Sequence, residues 1–133
     1  MSSDLYREQI IDLYENPLNY GELDPHDFTY EEDNPLCGDV VRIDVRLDEN
    51  GRVVDVRWRG EGCAISQASA SLLTEEIRGM TLDEVKAFSK ERLLELIGVP
   101  LSMARIKCAL LSLKVLKAGA YGVPSPEDMR GSD

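Results

Sequence analysis

Residues 41–59, VRIDVRLDENGRVVDVRWR, decide the fold of this chain. Val41, Ile43, Val45 and Leu47 alternate with Arg42, Asp44, Arg46 and Asp48. On the return, Val54, Val56 and Trp58 alternate with Asp55, Arg57 and Arg59. A period of two sends alternate side chains to opposite faces of a strand. Asn50-Gly51 between the two runs is the dipeptide that a tight hairpin turn prefers. One face is apolar and the other carries charges of both signs, as in an antiparallel sheet covered on one side.

The covering layer is written on both sides of this hairpin. Upstream, Leu5, Tyr6, Ile10, Ile11, Leu13 and Tyr14 give an apolar side to a helix from about Asp4 to Glu15, which Asn16-Pro17 ends. A turn-rich stretch follows through Asn19, Gly21, Pro25, Asn34 and Pro35, with a weakly signalled strand around Phe28–Glu31. Downstream of Gly60-Glu61-Gly62 the period lengthens. Ala64 to Arg78 reads as a helix closed by Gly79. Thr81-Leu82-Asp83-Glu84 is a capping box that opens a short helix. Another short helix is expected from about Lys90 to Ile97, and a last one from Ser102 to Ala118 with Gly119 past its end. The fold expected is α+β, a small antiparallel sheet with helices packed on one face. Residues 1–122 form a single domain in this reading, and 123–133, with Pro124 and Pro126, form a flexible tail.

Composition narrows the function. At 133 residues the chain is long enough for one self-sufficient core. Fifteen basic against 25 acidic side chains give a net charge of −10, which repels phosphate backbones and anionic membranes. No nucleic acid and no membrane is expected as a partner. No apolar run approaches a membrane span, and Met1–Arg7 lacks the basic and apolar regions of a signal peptide. A cytoplasmic location and reduced thiols follow as expectations.

The chemistry rests on three cysteines and one aspartate: Cys37-Gly38-Asp39, Cys63 and Cys108. An odd number of cysteines cannot all pair within one chain. Three thiolates and one hard carboxylate would make a four-ligand pocket suited to zinc, iron or an iron–sulfur cluster. In extended backbone Cys37 and Asp39 point to the same side. Cys63 stands at a helix start, where free N–H groups favour the thiolate. Arg105 shares a helix side with Cys108, and Lys107 is its sequence neighbour. Plainer readings stand beside these. Cys108 in an apolar helix also fits a small buried hydrophobe, and Asp39 fits a turn-closing residue. His26, in a turn-rich loop, reads as a surface residue. Cys-x-Asp…Cys…Cys is not a standard zinc-finger spacing.

These residues carry a resemblance. Tyr14-Glu15-Asn16-Pro17, Asn34-Pro35-Leu36-Cys37-Gly38-Asp39, Gly60-Glu61-Gly62-Cys63-Ala64-Ile65-Ser66 and Arg105-Ile106-Lys107-Cys108 occur in the order found in the IscU/SufU iron–sulfur cluster assembly scaffolds, which are related to the N-terminal domain of NifU. The resemblance covers about Leu5 to Gly122. It implies that Cys37, Asp39, Cys63 and Cys108 bind a transient [2Fe–2S] cluster, or iron or zinc. It implies sulfur received from a cysteine desulfurase and a cluster passed to apo-proteins. Cys37 and Cys108 become candidate persulfide acceptors, and Asp39 the ligand that lets the cluster leave. Arg105 and Lys107 become supporting residues. A non-enzymatic scaffold is the leading reading; a zinc-dependent sulfurtransferase that accepts persulfide sulfur and activates its desulfurase is the alternative.

Two departures separate this chain from each branch. Lys107 stands where the IscU branch has histidine, as in the SufU branch, yet the Cys63–Cys108 segment is too short for the SufU insertion. The Leu-Pro-Pro-Val-Lys chaperone site of the IscU branch is replaced by Gly98-Val99-Pro100-Leu101-Ser102, so a dedicated Hsp70 is not expected.

Overall fold

The computed structural model describes residues 2–34 and 38–122, with side chains from Arg7 onward. Cys37, Pro35, Leu36, the side chains of Leu5 and Tyr6, and the tail 123–133 lie outside the described residues. Eight elements run in the order α1 (Ser2–Glu15), β1 (Phe28–Asn34), β2 (Asp39–Leu47), β3 (Val53–Glu61), α2 (Ala64–Glu76), α3 (Leu82–Lys86), α4 (Lys90–Ile97) and α5 (Met103–Tyr121). The strands form an antiparallel sheet in the order β1-β2-β3. Helices α5 and α2 lie against it, and α1 packs on α2. Val41, Ile43 and Val45 of β2, Val56 and Trp58 of β3 and Phe28 of β1 are buried in the shared core. No helix among the described residues is long and apolar enough to cross a membrane.

The alternation holds along β2 and slips once in β3. Arg46 pairs with Asp55 but Leu47 pairs with Val53, so one residue of β3 is left over. This bulge turns Val53 into the core and leaves Val54 53% exposed, reversing the sequence expectation for Val54. Among the described side chains of α1, only Ile10 and Leu13 are buried; Ile11 and Tyr14, about 100° round the helix from them, are exposed. Helix α5 also runs further than expected, through Gly119 to Tyr121. Gly119 is kept there for packing: a Cβ on it would stand 2.7 Å from Phe28 Cδ1. Buried residues surround α5 on several sides, as for a helix at the centre of a small domain.

A polar seam sets α2 against α5. Ser69 donates to the Ala109 carbonyl, and its hydroxyl lies 3.0 Å from that of Ser112. Ala68, Ala70 and Ala109 are small and fully buried, so the two helices approach closely with their hydroxyls satisfied. The loop after α1 is tied down from three sides. Leu18 N–H donates to Ser71 Oγ, Trp58 Nε1 donates to the Leu18 carbonyl, and Arg78 donates to Asn19 Oδ1.

The outer face of the sheet holds an unexpected group. Asp44 alternates onto the charged face, yet it is 1% exposed because the segment around Leu23 covers it. Thr29 Oγ1 donates to it at 2.5 Å, Leu23 N–H at 3.1 Å and Arg42 Nε at 3.0 Å. Burial pushes the carboxyl up, but the Thr29 hydroxyl, the Leu23 amide and the Arg42 guanidinium together hold it below its ordinary value. A carboxylate lowered in the native state stabilises the fold fully above its unfolded value of about 3.9, and that share is lost as pH falls through the lower native value. Asp44→Asn is therefore expected to reduce unfolding free energy at pH 7 by about 1–3 kcal/mol, the range for a buried group deprived of its partner. Urea melts of both proteins should show the gap narrowing below about pH 4, where Asp44 of the unfolded chain begins to protonate while the native carboxylate stays ionised.

Candidate metal centre

Three elements bring one donor group each to a single point. Asp39 opens β2, Cys63 is the N-cap of α2, and Cys108 lies in the second turn of α5. One carboxylate oxygen and the two sulfurs all lie within 4.8 Å of one another. Asp39 is fully buried and Cys108 is 1% exposed, while Cys63 is half-buried. Cys63 is a free thiol.

The backbone explains the arrangement. Asp39 Oδ1 accepts the Cys63 N–H at 2.9 Å, and Oδ2 lies 3.9 Å from the Cys63 sulfur. Cys63 makes no cap bond with its own side chain, so a carboxylate 24 positions earlier caps α2. The Gly62 carbonyl is held in turn by Gln67 Nε2 at 3.0 Å, and Gln67 N–H bonds the Cys63 carbonyl. Bonded metal ligands at zinc–sulfur and zinc–oxygen lengths stand roughly 3.5–3.8 Å apart around a tetrahedron. The donors found here need only small side-chain rotations to reach that spacing. A fully buried carboxylate beside two cysteine sulfurs lacks a countercharge among the three donors, and a cation would offset that cost. The donor set therefore fits a thiophilic metal.

The other residues singled out in the sequence fall into place unevenly. Cys37 lies outside the described residues. Lys107 is exposed, whereas its neighbour Cys108 is buried. Arg105 is exposed and lines a groove of about 340 Å³ with Arg7, Ile10, Ile11, Ile65, Val99, Pro100, Leu101 and Ser102. His26 is exposed, with Nδ1 3.0 Å from the Leu23 carbonyl, away from the three donors. Arg7 and Gln67 were missed by the sequence reading, since neither belongs to a motif. Among the described arginines, Arg42, Arg46, Arg57, Arg59, Arg78 and Arg92 pair with carboxylates and Arg52 with the Gly79 carbonyl. Arg7 and Arg105 have no such partner there, and both border this one apolar groove.

Comparison with known proteins agrees with this geometry. The family model described as "NifU-like N terminal domain" matches residues 5–125. The chain is 35% identical over 116 residues to the "Iron-sulfur cluster assembly scaffold protein IscU" of Haemophilus influenzae, covering 85% of this chain and 90% of that one. It is 38% identical to the "Zinc-dependent sulfurtransferase SufU" of Bacillus subtilis, covering 86% and 88%. That second alignment spans 133 positions, whereas 86% of this chain is about 114 residues, so about 19 positions fall opposite gaps in this chain. A crystal structure titled as a putative iron–sulfur cluster assembly scaffold protein for the SUF system, from Fervidobacterium islandicum, superposes with a TM-score of 0.74 at 29% identity, covering 90% of this chain and 99% of that one.

Metal binding is directly checkable. Reduced protein titrated anaerobically with cobalt(II) should develop thiolate charge-transfer absorption. Cys63→Ser should weaken binding by at least about a hundredfold, the upper end of what even an indirect change to a metal site costs. Undiminished affinity in Cys63→Ser would exclude this sulfur as a ligand.

Proposed function

The chain belongs to the NifU-like N-terminal domain family, and from that premise and the site above we propose that it is a scaffold on which a [2Fe–2S] cluster is built from iron and desulfurase-derived sulfur and then passed to apo-proteins. The observation that carries this reading is one buried carboxylate meeting two cysteine sulfurs, Asp39 with Cys63 and Cys108. Cys37, two positions before Asp39, completes the ligand set in this proposal. Residues 1–122 act as the scaffold domain and 123–133 as its tail.

Each residue has a distinct task. Soft thiolates hold iron firmly, whereas a hard carboxylate oxygen holds it less well, so Asp39 is the ligand that lets the cargo go. Cys37 and Cys108 accept sulfur. A thiolate attacks the outer sulfur of the donor's persulfide, a new S–S bond forms as the old one breaks, and the donor cysteine leaves as thiolate. An external reductant then supplies two electrons to each transferred sulfur to make sulfide. Arg7 and Arg105, beside the apolar groove, offer the desulfurase a docking face on a protein whose net charge is −10. Lys107, exposed and next to Cys108 in sequence, is a second supporting residue in this proposal.

A zinc-dependent sulfurtransferase is the second reading, favoured by the 38% identity to SufU and by Lys107 before the last cysteine. The roughly 19 unmatched positions weigh against it. So do the short connections between α2, α3, α4 and α5, which hold no inserted element.

Anaerobic incubation with a cysteine desulfurase, cysteine, ferrous iron and reductant should produce cluster absorption on this protein that moves to apo-ferredoxin when that is added. Retained zinc, no cluster and faster desulfurase turnover would overturn the scaffold reading in favour of the sulfurtransferase. Asp39→Ala should lengthen the half-life of the bound cluster several-fold and slow its transfer, followed by visible circular dichroism.

A further inference from the structure

We propose that Gly62 is the positioning residue for Asp39: its missing side chain is the space the carboxylate occupies. The inference rests on the reading of Asp39 as a ligand for its functional consequence, though not for its geometry. A Cβ on Gly62 would overlap Asp39 Oδ1 and stand 2.7 Å from Cγ and 3.0 Å from Cβ. The atoms it meets belong to a short, fully buried side chain, not to the free end of a long one.

Nor can the backbone move aside. The Gly62 carbonyl is held by Gln67 Nε2 and the next amide by Asp39 itself. Two residues earlier β3 crosses so close to β2 that a Cβ on Gly60 would overlap the Val40 carbonyl oxygen. Gly62 also has φ +157°, at the edge of the region that L side chains rarely adopt. Any side chain here evicts the carboxylate from the Cys63 amide.

Two separate tasks follow for the two carboxylate oxygens. Oδ1 is engaged by the Cys63 N–H, so Oδ2, on the sulfur side, is the oxygen left for metal. Asp39 therefore binds through one oxygen. The hydrogen bond to the other oxygen draws charge from the carboxylate and further weakens it as a donor. Residue 62 thus sets how Asp39 ligates, although it touches no metal.

A double-mutant cycle of Gly62→Ala, Asp39→Gly and the pair tests this on reduced protein. Without metal, Gly62→Ala should lower the melting temperature by several degrees in the wild-type background and by less than half as much with Asp39→Gly, where no carboxylate is displaced. The φ penalty is common to both backgrounds and cancels. Should Gly62→Ala not fold, recovery of folding by Asp39→Gly is the expected result. Equal loss in both backgrounds, or failure to fold in both, overturns the proposal. With cobalt(II) bound, Gly62→Ala should shift the visible bands as Asp39→Gly does while keeping Asp39; wild-type bands in Gly62→Ala where Asp39→Gly shifts them also overturn it. If Asp39→Gly leaves the bands unchanged while the stability coupling appears, the ligand reading fails and the positioning of Asp39 by Gly62 stands.

Discussion

The hydrogen bond from the Cys63 amide to Asp39 Oδ1 joins the first residue of β2 to the N-terminus of α2, and the site depends on it. A helix start leaves several N–H groups without partners inside the helix. Here the nearest one is met by a carboxylate from the sheet instead of a local Ser or Thr. The bond fixes the helical layer relative to the sheet edge at the point where chemistry is to happen. It also keeps a charged group buried with one oxygen engaged and the other directed toward sulfur.

The third donor arrives by a different route. Cys108 is placed by the seam between α2 and α5, where Ser69, Ser112 and the Ala109 carbonyl bond across small residues. Ser69 lies six residues beyond Cys63, and Ala109 directly follows Cys108. The same contact that packs the two helices thus sets the distance between their sulfurs. Replacing the seam by larger apolar residues would preserve burial and still separate the donors, because close-packed helices respond to added volume by shifting. Polar atoms in this core act on geometry as much as on stability.

The strands β2 and β3, the capping box at Thr81 and the helices after Cys63 were legible in the sequence because each is fixed by neighbours along the chain. What was not legible depends on contacts between distant residues. The bulge that turns Val54 outward needs knowledge of the partner strand. The burial of Asp44 needs the segment around Leu23, and the continuation of α5 through Gly119 needs the Phe28 ring above it. For the site, residue types and motif order named Asp39, Cys63 and Cys108. They said nothing of Gly62 as a packing residue, of Gln67 behind it, or of Arg7 beside Arg105. Those roles belong to surfaces that exist only after α1, α2 and the sheet have met.

Burial explains why these three donors differ from three acidic or sulfur groups on a surface. Two of them are almost wholly withdrawn from water, and the carboxylate among them must have its charge answered locally. One amide answers half of the carboxylate; a bound cation would answer the rest. Because the donors come from β2, α2 and α5, any ion they hold bridges the sheet and both central helices. Binding is then coupled to how those layers pack, and a ligand weakened by its own hydrogen bond limits that coupling. In the proposed scaffold such a site would grip through sulfur and yield through oxygen, which is the balance a carrier of metal cargo requires.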